Sequence, residues 1–95
     1  MSRFTVQLTR AAAKDLDDVP PAARAQVIED LRTLEENPTA RPPRIKRLKG
    51  FPFPLYRLRS GDFRVLYRID ATTITAMRVI NRKDLEKTLR RLRLA

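Results

Sequence analysis

The segment that most constrains the fold is a 16-residue stretch, residues 55–70, which reads LYRLRSGDFRVLYRID. Apolar and charged residues alternate on both sides of Gly61-Asp62, and this period of two is typical of β-strands with two different faces. Glycine followed by aspartate suits a two-residue hairpin turn, in which the first residue takes a positive φ. The stretch therefore predicts an antiparallel hairpin with strands at residues 55–60 and 63–70.

A two-residue turn determines which side chains share a face of the hairpin. It pairs Arg59 with Arg64 and puts four arginines on one face: Arg57, Arg59, Arg64 and Arg68. The other face is apolar and must contact helices, so we expect the arginine face to be open. Directly opposed like charges destabilise a sheet by up to about 1 kcal/mol per pair, which indicates that an anion binds there. The alternative is that the arginines splay into water over apolar neighbours.

The same patterns predict the other elements of the chain. These are a strand at residues 3–8, a helix at 10–18 capped by Thr9, a helix from Pro20 or Pro21 to about 36, a strand at 73–80 and a last helix capped by Asn81. The order β-α-α-β-β-β-α predicts an α+β fold, with two N-terminal helices packed on a mainly antiparallel twisted sheet.

The connection at residues 38–54 is rich in proline and basic residues. The connection is stiff, and whether it contains a short strand at RIKRLK is left open. Phe51 and Phe53 either stack a nucleobase or close the edge of the core, and the sequence does not decide between these two roles.

The chain of 95 residues is long enough for one domain, residues 1–95. It contains neither cysteine nor histidine, which excludes thiolate metal sites and removes the commonest general base. No apolar run approaches the roughly 20 residues of a membrane span. We therefore expect a cytoplasmic protein that has no metal, no cofactor and no membrane association.

The net charge of +10 is concentrated in the C-terminal part of the chain. Residues 1–40 hold 5 Lys and Arg against 7 Asp and Glu, whereas residues 41–95 hold 16 against 4. Such a charge attracts polyanions, which are RNA, DNA or an acidic protein partner. Gly50 and Gly61 are the two glycines of the chain and form no nucleotide-binding motif, so nucleotide-loop enzymes are excluded.

Three segments together resemble the RelE/ParE superfamily of type II toxin–antitoxin toxins. They read RIKRLKG, LYRLRSGDFRVLYRID and ITAMRVINRKDLEK, and the likeness covers essentially the whole chain. The resemblance implies the RelE-like form of the fold predicted above. It also implies one of two activities: RelE-like members cut mRNA in the ribosomal A site, and ParE-like members inhibit DNA gyrase.

The RelE-like branch is favoured by the basic face. There the RNA 2′-hydroxyl is the nucleophile, and lysine and arginine side chains stabilise the pentacovalent phosphate without a metal. The resemblance implies catalytic roles for Arg57 and Arg64 at the phosphate and for Arg82 at the leaving group. Further RNA or phosphate contacts are predicted for Lys46, Lys49, Arg59, Arg68, Asn81 and Lys83.

The general base stays open. Many RelE-like toxins have a tyrosine shortly after the NRKD segment, where this chain has Leu85-Glu86. The remaining candidates for the base are Lys46, Lys83, Asp84 and Glu86. Two other functions are therefore kept as alternatives: a ParE-like gyrase inhibitor, and a catalytically weak module that binds an antitoxin or nucleic acid.

All of these functions predict a cognate antitoxin whose acidic or amphipathic helix covers the basic face and the apolar stripe of the last helix, Leu85, Leu89 and Leu92. The RelE-like branch adds mRNA on the ribosome as a partner. Since the sequence shows no helix-turn-helix, we expect DNA to be bound only through the antitoxin.

Overall fold

The computed structural model describes residues 3–39 and 41–94, which contain five strands and three α-helices. In chain order they are β1 (Thr5–Leu8), α1 (Arg10–Asp18), α2 (Pro21–Thr33), β2 (Ile45–Leu48), β3 (Leu55–Ser60), β4 (Phe63–Asp70), β5 (Thr73–Asn81) and α3 (Leu85–Leu94). A 3₁₀ turn, Arg82–Asp84, leads into α3. The predicted α+β fold is confirmed, and the short strand left open at RIKRLK is β2.

The strands form one sheet in the order β1-β5-β4-β3-β2. β1 pairs in parallel with β5, and the other three pairings are antiparallel. The sheet is therefore mainly antiparallel, as predicted. The β3–β4 hairpin lies inside the sheet, because β5 and β2 flank it on either side.

Side-chain caps determine where the helices begin. The Thr9 hydroxyl oxygen accepts a hydrogen bond from the Ala12 amide at 3.0 Å, which is the predicted N-cap of α1. Pro21 opens α2, where a missing N–H costs nothing. Asn81 Oδ1 accepts from the Lys83 amide at 3.1 Å, so β5 ends in a capped turn that begins with Arg82.

The apolar face of the hairpin packs against α1 and α2, as predicted. Leu58, Val65 and Tyr67 of this face have no solvent exposure, and they pack in one cluster with Val27 and Leu34 of the α2 region. Burying side chains of this size is the main source of stability in a domain of about 100 residues. This core fixes the hairpin and so determines the direction of the opposite face.

The arginine face is only partly open, so the expectation of an open face is wrong for one half of it. Leu55 and Leu66 lie between the arginines and are fully buried against Ile80 and Leu89, the latter from α3. Half-buried side chains extend this second cluster, namely Leu48, Phe51, Phe53, Met77, Leu85 and Leu92. Apolar residues on this face need a cover, and α3 supplies it. The end nearest the Gly61-Asp62 turn stays accessible.

A buried carboxylate connects α2 to the end of β3. Asp30 is 6% exposed and accepts hydrogen bonds from Ser60 Oγ at 2.6 Å and from Gln26 Nε2 at 3.0 Å. It also forms an ion pair with Arg44. Burying a charge is costly unless it is paired and hydrogen-bonded, so these contacts explain how Asp30 is accommodated. They fix Ser60, the residue that precedes the turn.

Candidate nucleic-acid interface

The hairpin register brings two arginines directly opposite each other. β3 and β4 pair Arg59 with Arg64 and Arg57 with Leu66, which is the predicted register. Gly61 has a φ of +57°, as the first position of a type II′ turn requires. The turn therefore places three guanidinium groups on neighbouring positions of one face.

Arg57 lies beside Lys46 of β2, its cross-strand partner. Its Nη2 donates a hydrogen bond to the Pro43 carbonyl, while its Nε is buried and has no partner among residues 3–39 and 41–94. Burial, followed by repulsion from Arg59, lowers the pKa of Arg57. A buried donor left without an acceptor costs roughly 1–3 kcal/mol, so a bound acceptor would relieve this cost.

Arg64 is held against the turn by the backbone. Its Nη1 donates to the carbonyl oxygens of Gly61 and Phe63, each at 2.9 Å. Burial, followed by repulsion from Arg57, Arg59 and Arg82, lowers the pKa of Arg64, and Asp62 partly opposes the effect. An arginine stays protonated at neutral pH in spite of such shifts. The lowered pKa therefore reflects partial burial of Arg64 first and the nearby positive charges second.

Arg82 joins these arginines from the end of β5. Its amide donates to the Asp62 carbonyl at 2.8 Å, which ties the start of the 3₁₀ turn to the hairpin turn. Its Nε lies 3.9 Å from the Asp62 carboxylate, and both side chains are more than two-thirds exposed. An ion pair this long and this exposed contributes little, so Arg82 remains available to a ligand.

We call the following five residues the basic cluster: Lys46, Arg57, Arg59, Arg64 and Arg82. Within the described ranges, no carboxylate lies within 4.0 Å of a guanidinium nitrogen of Arg57, Arg59 or Arg64. Guanidinium groups match the oxygens of a phosphate and form two parallel hydrogen bonds with it. The arrangement is suited to binding a phosphate diester and to stabilising added negative charge on it.

The other predicted contact residues lie outside the basic cluster. Arg68 is four residues from Arg64 along β4, or about 13 Å, and its guanidinium lies 4.7 Å above the centre of the Phe53 ring. Lys49 lines a cleft beside Phe51. The Asn81 side-chain oxygen caps the 3₁₀ turn, and Lys83 is an exposed residue of that turn.

Sequence reasoning missed two charged residues near this site. Asp62 was predicted only as a turn residue, but its carboxylate lies 3.9 Å from Arg82 Nε and partly opposes the lowering of the pKa of Arg64. Arg93 of α3 lies with its guanidinium 5.1 Å above the Phe51 ring. No local pattern predicts this contact, because it depends on how α3 packs across the sheet.

The part of the chain that the structure describes has no group of three or more His, Cys, Asp or Glu side chains that could hold a metal ion. None of its helices is both long and apolar enough to cross a bilayer.

Comparison with known proteins identifies the family. A family model described as the ParE toxin of the type II toxin–antitoxin system parDE matches residues 6–86. The chain belongs to this toxin family.

Two relatives of the toxin carry RelE-type names. The RelE1 toxin of Methanocaldococcus jannaschii is 41% identical over 66 residues, which are 68% of this chain and 72% of the relative. The RelG toxin of Mycobacterium tuberculosis is 36% identical over 87 residues, covering 86% and 94%.

Solved structures agree with this assignment. The archaeal RelE–RelB complex from Pyrococcus horikoshii contains a chain that matches the toxin with a TM-score of 0.73 and 27% identity, covering 84% of this chain and 96% of that one. The RelBE toxin–antitoxin complex from Mycobacterium tuberculosis matches with a TM-score of 0.69 and 32% identity, covering 83% and 98%. The toxin is thus a RelE/ParE superfamily member of a type II toxin–antitoxin module, as the sequence resemblance predicted.

Proposed function

We propose that the toxin is a metal-independent endoribonuclease that cuts mRNA on the ribosome and acts in the cytoplasm. The observation that carries the proposal is the basic cluster, whose central arginines lack carboxylate partners among the described residues. Positive charge of this density destabilises the folded chain, and a bound phosphate would compensate for it. The names of the two relatives, RelE1 and RelG, favour the same branch of the superfamily.

The proposed reaction uses the RNA as its own nucleophile. The 2′-oxygen attacks the adjacent phosphorus, the bond from phosphorus to the 5′-oxygen breaks, and a 2′,3′-cyclic phosphate and a 5′-hydroxyl result. The attacking hydroxyl loses its proton to a base, and the leaving oxygen gains a proton. Negative charge increases on the phosphate oxygens in the transition state, which is where fixed positive groups accelerate a reaction most.

Each member of the basic cluster has a role in this proposal. Arg57 and Arg64 contact the non-bridging phosphate oxygens. Hydrogen bonds to backbone carbonyls hold both guanidinium groups in position for this contact. Arg82, which is exposed beside the turn, stabilises the leaving 5′-oxygen. Arg59 adds charge and binds the neighbouring backbone.

The candidates for the general base differ in position. Lys46 is on the arginine face, directly across from Arg57, and is the base that we propose. Asp84 lines a pocket with Asp15 and Asp18 on the α1 side, so it is a poorer candidate. Glu86 and Lys83 are exposed near the start of α3. A substitution of Lys46 therefore tests which residue is the general base.

A cognate antitoxin is part of the proposal. Several of the similar solved structures are toxin–antitoxin complexes, including archaeal RelE–RelB pairs. An antitoxin helix with acidic residues on one face would neutralise the basic cluster while its apolar residues bind beside α3. We propose that DNA is contacted only through this partner.

The second candidate function is inhibition of DNA gyrase. It is favoured by the family model, which is that of the ParE toxin. A gyrase inhibitor needs a binding surface and makes no use of a phosphate site. Substitutions in the basic cluster would then leave growth arrest intact.

The test is to induce the toxin and to map transcript ends on translated and untranslated copies of one message. Our proposal predicts new 5′-hydroxyl ends within the translated copy only, and their loss in the Arg57→Gln variant. Supercoiling by purified gyrase is measured in parallel with the same protein. Growth arrest with intact transcripts would reject the nuclease, and inhibited supercoiling would establish the second candidate. If neither occurs, the toxin is a weak binding module.

A further inference from the structure

A cleft with two aromatic walls lies beside the basic cluster on the same face of the sheet. It has a volume of about 430 Å³ and is open to solvent. Its lining residues come from β2 and the loop that follows it: Arg47, Leu48, Lys49, Gly50, Phe51 and Phe53. The lining therefore combines an apolar interior with a positively charged rim.

The two phenylalanines are only half-buried, although they belong to the second apolar cluster. Their ring centroids are 6.1 Å apart and the ring planes are inclined by 46°, so the rings do not stack on each other. The guanidinium of Arg68 covers Phe53, and that of Arg93 covers Phe51. Aromatic rings and guanidinium planes are the two surfaces on which proteins stack unpaired RNA bases.

The cleft lies next to the basic cluster along the strands of the sheet. Lys46 and Arg57 form one cross-strand row on this face, and Leu48 and Leu55 form the next row. Two residues along a strand separate the rows by about 7 Å. An RNA strand whose phosphate lies on the basic cluster therefore brings an adjacent nucleotide to the cleft.

We propose that this cleft is a nucleobase subsite, which stacks one unpaired base of the RNA strand whose phosphate the basic cluster holds. The positive charge around the cleft decides between possible occupants, because Lys49, Arg68 and Arg93 complement a phosphate backbone. The subsite rests on the proposed RNA-binding function and gives it a substrate class: a single-stranded segment with a base displaced from its neighbours. Stacking tolerates any base, so the subsite adds affinity and position with little sequence preference.

The test is a double-mutant cycle on the full chain. Fluorescence anisotropy measures the dissociation constant of a short single-stranded RNA and of copies with one abasic nucleotide, placed at successive positions. We expect Phe53→Leu to weaken binding of the intact RNA by about 5- to 150-fold, the range for one stacked base. One abasic copy should bind the parent with a similar loss, and Phe53→Leu should then weaken its binding no further. Phe51→Leu is expected to behave in the same way.

The control is Phe4→Leu, the same substitution in a half-buried ring that packs against the opposite face of the sheet. It should bind RNA as the parent does, and thermal unfolding should show all variants folded at the assay temperature. If Phe53→Leu and the abasic nucleotide each weakened RNA binding independently, so that their effects added, the proposed subsite would be overturned. Unchanged binding by Phe53→Leu, or the lack of any RNA binding by the parent, would overturn it as well.

Transcript cleavage separates this proposal from the nuclease proposal. Coupling between Phe53 and one base, in a protein that cuts no transcript, would keep the subsite and reject the nuclease. Cleavage by a protein that shows no such coupling would keep the nuclease and reject the subsite.

Discussion

The opposed pair Arg59 and Arg64 indicates that RNA binding and the stability of the fold are in conflict in this toxin. A substitution that removes one of these charges should stabilise the fold and weaken RNA binding. Arg59 lies opposite Arg64 and two residues from Arg57 on the same face, and its repulsion contributes, after burial, to the lowered pKa of both arginines. Like charges across a strand pair cost about 0.2–1 kcal/mol. Arg59→Gln removes the charge and keeps a polar side chain of similar length, so we expect a stability gain of about 0.5–1 kcal/mol. For a domain of this size that raises Tm by about 2–8 °C.

The assay is thermal unfolding in 50 mM and in 1 M salt. At 1 M the Debye length falls to about 3 Å, so the stability gain should disappear there. Arg47→Gln is the matched control, because Arg47 is also an exposed strand arginine but faces Tyr56 across the strands. RNA binding by Arg59→Gln should weaken while its Tm rises. A Tm equal to or below that of the parent at low salt, or an equal rise in the control, would refute the reasoning.

Two further predictions concern buried polar groups. Asp30→Asn removes the charge that pairs with Arg44 and accepts a hydrogen bond from Ser60. Urea unfolding should show that the free energy of unfolding falls by about 1.5–3 kcal/mol. An unchanged urea midpoint would contradict this prediction. Burial raises the pKa of Tyr67, whose hydroxyl donates to the Pro38 carbonyl at 2.7 Å. Stability should therefore fall as pH rises above about 10, where the unfolded chain ionises first. Tyr67→Phe should lower the free energy of unfolding by about 1 kcal/mol at pH 7 and should reduce the loss of stability above pH 10. An equal loss of stability in the variant would show that Tyr67 is not its source.

The sequence predicted the hairpin and its register because both depend on neighbouring residues. Alternation defines the two faces, and Gly61 permits the positive φ that a two-residue loop needs. These local rules were sufficient to bring Arg59 opposite Arg64. The helix starts at Thr9 and Pro21 followed from local rules as well.

What the sequence did not predict depends on contacts between distant segments. The arginine face was expected to be open although Leu66 shares it, because the sequence does not indicate what covers Leu66 and its neighbour Leu55. Their burial requires α3, whose apolar stripe was expected to bind the antitoxin and instead packs on this face of the sheet. In the same way, Arg78 pairs with Asp15, 63 positions away, and no pattern near either residue indicates the contact.

The distribution of the predicted site residues has the same explanation. Residues in register with the turn came together in the basic cluster, since strand geometry placed them there. Arg68 shares their face but lies over Phe53, because the loop that carries Phe53 folds back across the sheet. Alternation predicts the face of a side chain, whereas its partner on that face depends on the packing of the loop.

The most direct test of the central claim, that the basic cluster holds the phosphate that is cut, is single-turnover cleavage on ribosomes programmed with one message. We expect Arg64→Gln to lower the rate of cleavage by about 10²–10³-fold, the usual effect of removing one group that stabilises transition-state charge. Arg10→Gln, a change at an exposed arginine of α1, should cut at the parent rate. Equal rates for Arg64→Gln and the parent, with the fold intact, would contradict the account.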